Sequence, residues 1–449
     1  MSAASGGKGL KRVVGVSGLT MAIINGTIGS GIYALPANVS FELGAFGIYA
    51  YLFCSIMLAS ILLCYAEIGS KVSISGGSYA YVETAFGHLP GYITNWMYFF
   101  GWGVLGSAAV LNIMADAVSL LFPIFSQTGF RALLFFVLIA LIVGVNIRGT
   151  KQGVGIIKIF TIVKLFPLVA IIFFGFSRIK AVNLHWEHFP SLQSFGVTAL
   201  ELFFAFAGFE TSLNVSGEIK NSKRTVPISI LLAGTIVFIV YMLIQIVTQG
   251  ILGVNMAEHQ LSPLAAVAVI IIGPLGGTIV LYATAISCFG TTSGDIMATP
   301  RLLFAGAQNG FFPKFLAKIH PRFATPFWSI IIYGGLIFIF SVSGGFRQLA
   351  VLASGSILII YFAVIASTLK LKLRKHALAE KTFRIPGGWS IPVIGMISIA
   401  WLLSNLNGRQ IISTLTFIGI VTVLFFITKR ISKANGTDPK ENNPNQPNQ

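Results

Sequence analysis

Gly26-Thr27-Ile28-Gly29-Ser30-Gly31 falls in the middle of the first apolar stretch, where a lipid-spanning helix should carry its least interrupted sequence. Three glycines within six residues, with a serine among them, weaken the helix and free backbone N–H and C=O groups. At membrane depth such exposure is tolerated only where the backbone is buried in protein or lines a cavity. A second interruption, Phe204-Ala205-Phe206-Ala207-Gly208-Phe209-Glu210, lies near the centre of the sixth apolar segment. Paired breaks five segments apart point to a transporter.

The rest of the chain fits that reading. Apolar residues make up 55% and charged residues 10%, and the mean hydropathy is +0.85. These values lie well outside the range of soluble globular proteins and imply an all-α, polytopic membrane protein. With roughly 20 to 25 residues per tilted crossing, the 449 residues hold about twelve spans. Their expected positions are 13–38, 45–69, 91–122, 130–147, 154–176, 194–217, 227–252, 276–306, 325–343, 347–370, 391–406 and 410–429. No small-residue cleavage site follows the first apolar run, so it reads as a retained span. Residues 1–12 are expected to be a cytoplasmic segment, 13–430 the transmembrane domain, and 431–449, rich in Asn, Pro, Gln and Lys, a disordered tail.

The net charge of +17 is not gathered into a soluble domain that would bind nucleic acid. With the N-terminus inside, Lys71, Arg148, Lys151, Lys220, Lys223, Arg224, Lys314, Lys318, Arg322 and the run from Lys370 to Arg384 fall in cytoplasmic loops. Only Arg131, Arg178, Lys180, Arg347 and Arg409 fall outside. This asymmetry places both termini in the cytoplasm of a cell, or inner, membrane. Cys54, Cys64 and Cys288 lie in apolar segments and read as small core residues, with neither a disulfide framework nor a metal motif. His185-Trp186-Glu187-His188 reads as an interfacial aromatic element rather than a metal cluster. Residues 257–275, with Pro263 and Gly273-Pro274, predict a short outer helix that does not cross. No cofactor is called for.

At the first break, the amides around Gly29-Ser30-Gly31 head a half-helix from Ile32 to Val39, whose positive end suits a carboxylate. Close helix packing is the competing use of such glycines. At the second break, carbonyls unwound around Phe206, Ala207 and Gly208 suit an ammonium group. Together they describe a zwitterionic amino acid. Among the phenylalanines there, one is expected to act as a gate and the others as ordinary contacts.

Ionisable residues within spans are expensive, and so are functional candidates. Lys164 sits mid-span and suits proton coupling or the role of a fixed cation, with a structural lock through carbonyls as the alternative. Asp295 could meet a cationic side chain, carry a proton or pair with Lys164. Glu210 follows the second break and could tie down the backbone or take up a proton. Asp116 is a further intramembrane carboxylate. Glu67 and Glu201 lie near span ends, where a solvated or structural role is expected.

Residues 26–36 (GTIGSGIYALP) resemble the first-span signature of the amino acid–polyamine–organocation superfamily. Ser75-Gly76-Gly77-Ser78-Tyr79-Ala80-Tyr81, Phe206-Ala207-Gly208-Phe209-Glu210, residues 218–227 (EIKNSKRTVP), and Pro300-Arg301-Leu302-Leu303-Phe304-Ala305 with Asn309-Gly310 and Pro313 resemble its later motifs. The resemblance spans residues 13 to about 430. It implies a leucine-transporter-type inverted repeat of five plus five spans, two further C-terminal spans, and amino acid transport by alternating access. It also implies that Thr27, Gly29, Ser30 and Gly31 hold the substrate carboxylate, that Phe206, Ala207 and Gly208 hold its amine, and that Phe204 gates. Lys164 resembles the fifth-span lysine that replaces a bound ion in some branches. Asp295 stands near a substrate-side position where many members carry Trp, Ser or Asn.

The expected function is secondary transport of amino acids, as a proton symporter or, alternatively, an amino acid exchanger. The expected partners are a small-molecule amino acid, protons and the lipid bilayer. A Gly-x-x-x-x-Gly-Lys-[Ser/Thr] phosphate loop is absent from the sequence, so direct ATP coupling gains no support. An ion channel would want a filter-like carbonyl motif, and a membrane enzyme a clustered catalytic set; neither stands out.

Overall fold

The computed structural model describes residues 14–72, 77–148, 154–186, 188–213, 219–308, 313–373 and 383–434. Within them the chain forms seventeen α-helices and no strand; a lone bridge joins Val14 to Ile219. Of the expected terminal segments, residues 1–12 and 435–449 lie outside the described residues, as do the motif residues Ser75, Gly76, Glu218, Asn309 and Gly310, whereas 431–434, expected to begin the disordered tail 431–449, continue the last helix.

In order these are α1 (Val16–Thr27), α2 (Gly31–Leu43), α3 (Gly47–Lys71), α4 (Gly77–Phe86), α5 (His88–Trp96), α6 (Leu105–Leu121), α7 (Thr128–Ile147), α8 (Val154–Gly175), α9 (Leu192–Leu202), α10 (Ser222–Leu252), α11 (Pro263–Ile272), α12 (Pro274–Ala298), α13 (Pro300–Gln308), α14 (Phe327–Ser343), α15 (Phe346–Leu373), α16 (Ser390–Ser404) and α17 (Gly408–Ala434). Among the described residues, nine helical stretches are long and apolar enough to cross a membrane, and shorter apolar helices cover 263–272, 327–343 and 390–404. The protein is an all-α, multi-pass membrane protein, with helix at every expected span.

Local chemistry explains the boundaries. Ser191 caps α9 by accepting the Ser194 N–H at 3.0 Å, which satisfies one of the amides a helix start leaves unpaired. Gly273, at φ +81°, ends α11, and Pro274 opens α12, because glycine tolerates left-handed backbone and proline lacks only an amide that a first turn does not use. The short 263–272 helix is therefore separate from the span after it, as expected.

Three features depart from the sequence reading. The first half-helix runs from Gly31 to Leu43, longer than Ile32 to Val39. The third span is continuous but passes through a π-helical stretch, Met97–Val104, between α5 and α6. The eighth divides at Thr299, because Pro300 has no N–H with which to continue the ladder.

Both glycine-rich interruptions are real breaks. α1 stops at Thr27, and the chain bends through 28–30 before α2. α9 tightens into a 3-10 turn, Phe203–Phe206, then goes extended at Ala207 and reaches φ +109° at Gly208. The two breaks press on each other: a Cβ added to Gly26 would lie 2.7 Å from the Gly208 carbonyl oxygen, and one added to Gly31 would lie 2.9 Å from Ala205 Cβ. The glycines thus serve close backbone packing as well as unwinding.

Substitutions separate the two uses of glycine. Gly208→Ala strains the positive φ and meets the Gly26 carbonyl, and Gly31→Val strikes Ala205; each should cost about 1–3 kcal/mol and lower the melting temperature in detergent. Gly29→Ala meets only Thr291 Oγ1, at 3.9 Å. It should leave the melting temperature nearly unchanged while weakening ligand binding.

Candidate functional site

The ends of three half-helices converge between the breaks. α1 and the 3-10 turn after α9 bring carbonyl ends, where the last groups have no onward turn to accept from. α2 brings an amino end, whose first N–H groups have no preceding turn to donate to. At the first break the Ile28 N–H donates to Ile24 O at 2.8 Å and the Gly29 N–H to Thr27 O at 2.9 Å, while Ser30 O accepts the Tyr33 N–H at 3.0 Å. Thr27 spends its hydroxyl on Ile23 O at 3.0 Å. Ser30 Oγ is buried beside the Cys288 thiol with no other hydrogen-bond partner.

One tyrosine ties the breaks together. Tyr241 on α10 points its hydroxyl at Thr27 O, 3.1 Å away, and Ala205 O, 2.9 Å away. With a single proton to donate, it serves one carbonyl fully at a time. At the second break Gly208 O accepts the Thr211 N–H at 3.3 Å. Ala207, with extended backbone, leaves its carbonyl and that of Phe206 outside any helical turn.

Lys164 on α8 is 2% exposed. Its Nζ donates to Asn25 O at 3.3 Å and to Thr291 Oγ1 at 2.9 Å, and its own carbonyl accepts the Tyr33 hydroxyl at 3.1 Å. It therefore joins the first, fifth and eighth spans through dipoles. The ion pair with Asp295 that the sequence left open does not form; among the described residues, no carboxylate lies within 4 Å of Nζ.

Glu210 lies directly below the second break. Its Oε2 accepts the Gly208 N–H at 3.1 Å and the Tyr361 hydroxyl at 2.5 Å, so it ties down the unwound backbone. Its Oε1 is buried without a partner. Phe204 sits with its ring 5.7 Å from Trp102 and 5.8 Å from Phe346, whereas Phe203, Phe206 and Phe209 pack against tyrosines in the core. Asp295 accepts the Ser107 hydroxyl at 3.1 Å.

Three other carboxylates named from the sequence, Asp116, Glu67 and Glu201, are paired. Asp116 holds Arg131 at 2.7 Å, beside a cavity of about 260 Å³ that Asn112 and residues 341–345 also line. Glu67 takes Lys71, Lys372 and the Ile385 N–H, and is structural rather than solvated. Arg347 binds Glu42 at 2.6 Å and Glu201 at 2.8 Å, and Asn38 adds a bond to Glu201 at 3.0 Å. Trp186 stands edge-on to Tyr49; its neighbour Glu187 lies outside the described residues.

The structure thus gathers Thr27, Gly29, Ser30, Gly31, Phe206, Ala207 and Gly208 around one junction, with Lys164, Phe204 and Glu210 at its margins. Sequence reading missed Tyr241, Trp102, Tyr361 and Arg347. The first three are aromatics in apolar runs; the only cue was that a buried tyrosine hydroxyl needs a partner. Arg347 was read as an outer-loop charge, and its two carboxylates lie 146 and 305 residues away.

Comparisons with known proteins agree with this architecture. The family described as amino acid permease matches residues 14–437. The methylthioribose transporter of Bacillus subtilis (strain 168) is 26% identical over 96% of this chain and 96% of its own length. The serine/threonine exchanger SteT of the same organism is 28% identical over 88% of this chain and 91% of its own. The Asc-type amino acid transporter 1 of Mus musculus is 29% identical over 88% of this chain and 76% of its own. With its broken first and sixth spans and a match over nearly its whole length, the chain belongs to the amino acid permease family.

Proposed function

We propose that this permease carries amino acids across a cell membrane by alternating access, with both termini in the cytoplasm. The observation that carries this reading is the junction of the two breaks. Amides of Ser30 and Gly31 at the positive end of α2, joined by that of Gly29 once it leaves Thr27 O, receive the substrate carboxylate, and carbonyls of Phe206, Ala207 and Gly208 receive its amine. Asn25 Oδ1 and Glu210 Oε1 are buried without partners beside that junction, and Ser30 Oγ meets only the Cys288 thiol. Such orphans cost about 1–3 kcal/mol each unless something meets them. The relatives include a serine/threonine exchanger and a methylthioribose transporter, so the wall facing the variable end of the ligand sets specificity.

Movement follows from the same geometry. Half-helices on either side of an unwound junction can tilt without breaking a full ladder, and Phe204, whose ring packs against Trp102 and Phe346, turns over the ligand. Lys164 places a cation where it bridges three spans, which suits coupling to a proton. Exchange, as named for the SteT relative, uses the same site with a second amino acid driving the return.

Proteoliposomes holding the purified protein decide between the modes. Accumulation of a labelled amino acid under an imposed inward proton gradient indicates symport, and uptake that needs unlabelled amino acid inside indicates exchange. Saturable uptake of none of the standard amino acids in either mode would overturn the proposal.

Two variants test the mechanism. Lys164→Ala should fold, by size-exclusion profile, but lose turnover or its dependence on pH; an unaltered rate-against-pH curve makes the lysine a structural lock. Tyr241→Phe removes the hydroxyl bridging the breaks, at a cost of about 1–2 kcal/mol. Its maximal uptake rate should fall further than its apparent substrate affinity.

A further inference from the structure

Asp295 is a charge that the protein does not neutralise. Its Oδ2 accepts one hydroxyl, from Ser107. Among the described residues, no lysine, arginine or histidine lies within 4 Å of it. Of the other carboxylates set within spans, Asp116, Glu67 and Glu201 each hold a cation, and Glu210 holds an amide and a hydroxyl. Lys164, near enough to interact electrostatically, is already committed to Asn25 O and Thr291 Oγ1. A lone carboxylate inside a membrane protein costs several kcal/mol until a cation or a proton joins it.

The position of Asp295 says where that cation comes from. The exposed stripe of α12 runs through Leu275, Ile279, Tyr282 and Ile286. Thr284, Cys288, Thr291 and Asp295 follow one another at spacings of three or four residues on the opposite, inward face. Asp295 is nevertheless only half-buried, as are Thr291 and Gly29, so these inward residues border open interior space. Thr291 Oγ1 lies 3.9 Å from where a Cβ on Gly29 would stand, and Asp295 is one turn, about 5–6 Å, further along the helix. On the neighbouring face of the third span, Trp102 lies against Phe204 and close to Gly208. A carboxylate one turn beyond a carboxylate-binding break, with an aromatic face nearby, matches a three- or four-carbon stem that ends in an ammonium or guanidinium.

We propose that Asp295 is the counter-ion for a positively charged side chain of the substrate, and that the permease prefers dibasic amino acids. The proposal rests on the amino acid reading above. Ser107 orients the carboxylate, and Trp102 and Phe204 cover the apolar stem.

The test is uptake of labelled arginine and labelled leucine into proteoliposomes, with unlabelled arginine, lysine, ornithine, leucine and serine as competitors, for the wild type, Asp295→Asn and Asp295→Glu. In the wild type, the three cationic amino acids should compete at least about tenfold better than leucine or serine. Asp295→Asn should lose that ratio by about 10–100-fold while leucine uptake persists, and Asp295→Glu should retain it. If the wild type favours leucine or serine, or if Asp295→Asn leaves the ratio unchanged, the counter-ion role is wrong while amino acid transport stands. The wild-type panel alone decides this should the asparagine variant fail to fold. Uptake of neither label would instead overturn the amino acid reading itself.

Discussion

The architecture depends on one close approach: the carbonyl of Gly208 against Gly26, and Ala205 against Gly31. A side chain larger than hydrogen at Gly26, Gly31 or Gly208 would push the two broken spans apart. Everything that distinguishes this molecule from a bundle of continuous helices follows from that contact. Because the spans break at their closest point, their free carbonyls and amides face each other rather than lipid, the one arrangement in which unwound backbone is affordable at membrane depth. Tyr241 then secures the contact by pointing a single hydroxyl at a carbonyl from each side. A donor shared by two acceptors can favour either without losing its bond, so the junction is held but not rigid.

The groups around the junction work as positioning elements. Glu210 holds the Gly208 amide, and Tyr361 in turn holds Glu210, so the second break is anchored to α15. Lys164 holds the carbonyl of Asn25, one residue before the glycine of the contact, and reaches α12 through Thr291. The first break is thereby linked to the spans that flank it. A shift of α1 against α8 must break a lysine–carbonyl bond, and bonds to charged groups are worth about 1.5–3 kcal/mol. That is the scale on which a ligand or a proton biases one conformation over another.

Much of this was legible before any coordinates. Glycines at 26, 29, 31 and 208 break apolar runs that are otherwise long enough to span, and the spacing of those runs located helices along the whole chain. Residues that act through their own backbone were accessible to such reading because their composition is abnormal for their setting. Residues that act through distant partners were not. Tyr241 looks like any aromatic in a 31-residue helix, and its role appears only when Thr27 and Ala205, 214 and 36 residues away, are brought beside it. Likewise, three fates were open to Asp295 until folding set Lys164 on other partners and so removed the ion pair. The π-helical turn at Met97–Val104 carried no local signal, because one extra residue per turn leaves apolar composition unchanged.

The distribution of charge gives the last step. Away from the junction, carboxylates and cations close on one another: Glu67 with Lys71 and Lys372, Arg347 with Glu42 and Glu201, Asp116 with Arg131. The pairs of Glu67 with Lys372 and of Arg347 with Glu42 and Glu201 join elements far apart in sequence, and Arg347 in particular fastens α15 to both α2 and α9, the half-helices on one side of the two breaks. At the junction the pattern reverses: among the described residues, Lys164, Glu210 and Asp295 meet hydroxyls, amides and carbonyls and no opposite charge. Dipoles offset a buried charge incompletely, whereas an opposite charge offsets it largely. On the proposed function, the three central charges left to dipoles lie where a zwitterion and a coupling ion would enter. On that same proposal, the cost of keeping those groups unpaired would be recovered when cargo binds, which would link occupancy of the centre to the half-helices that Arg347 fastens at the rim.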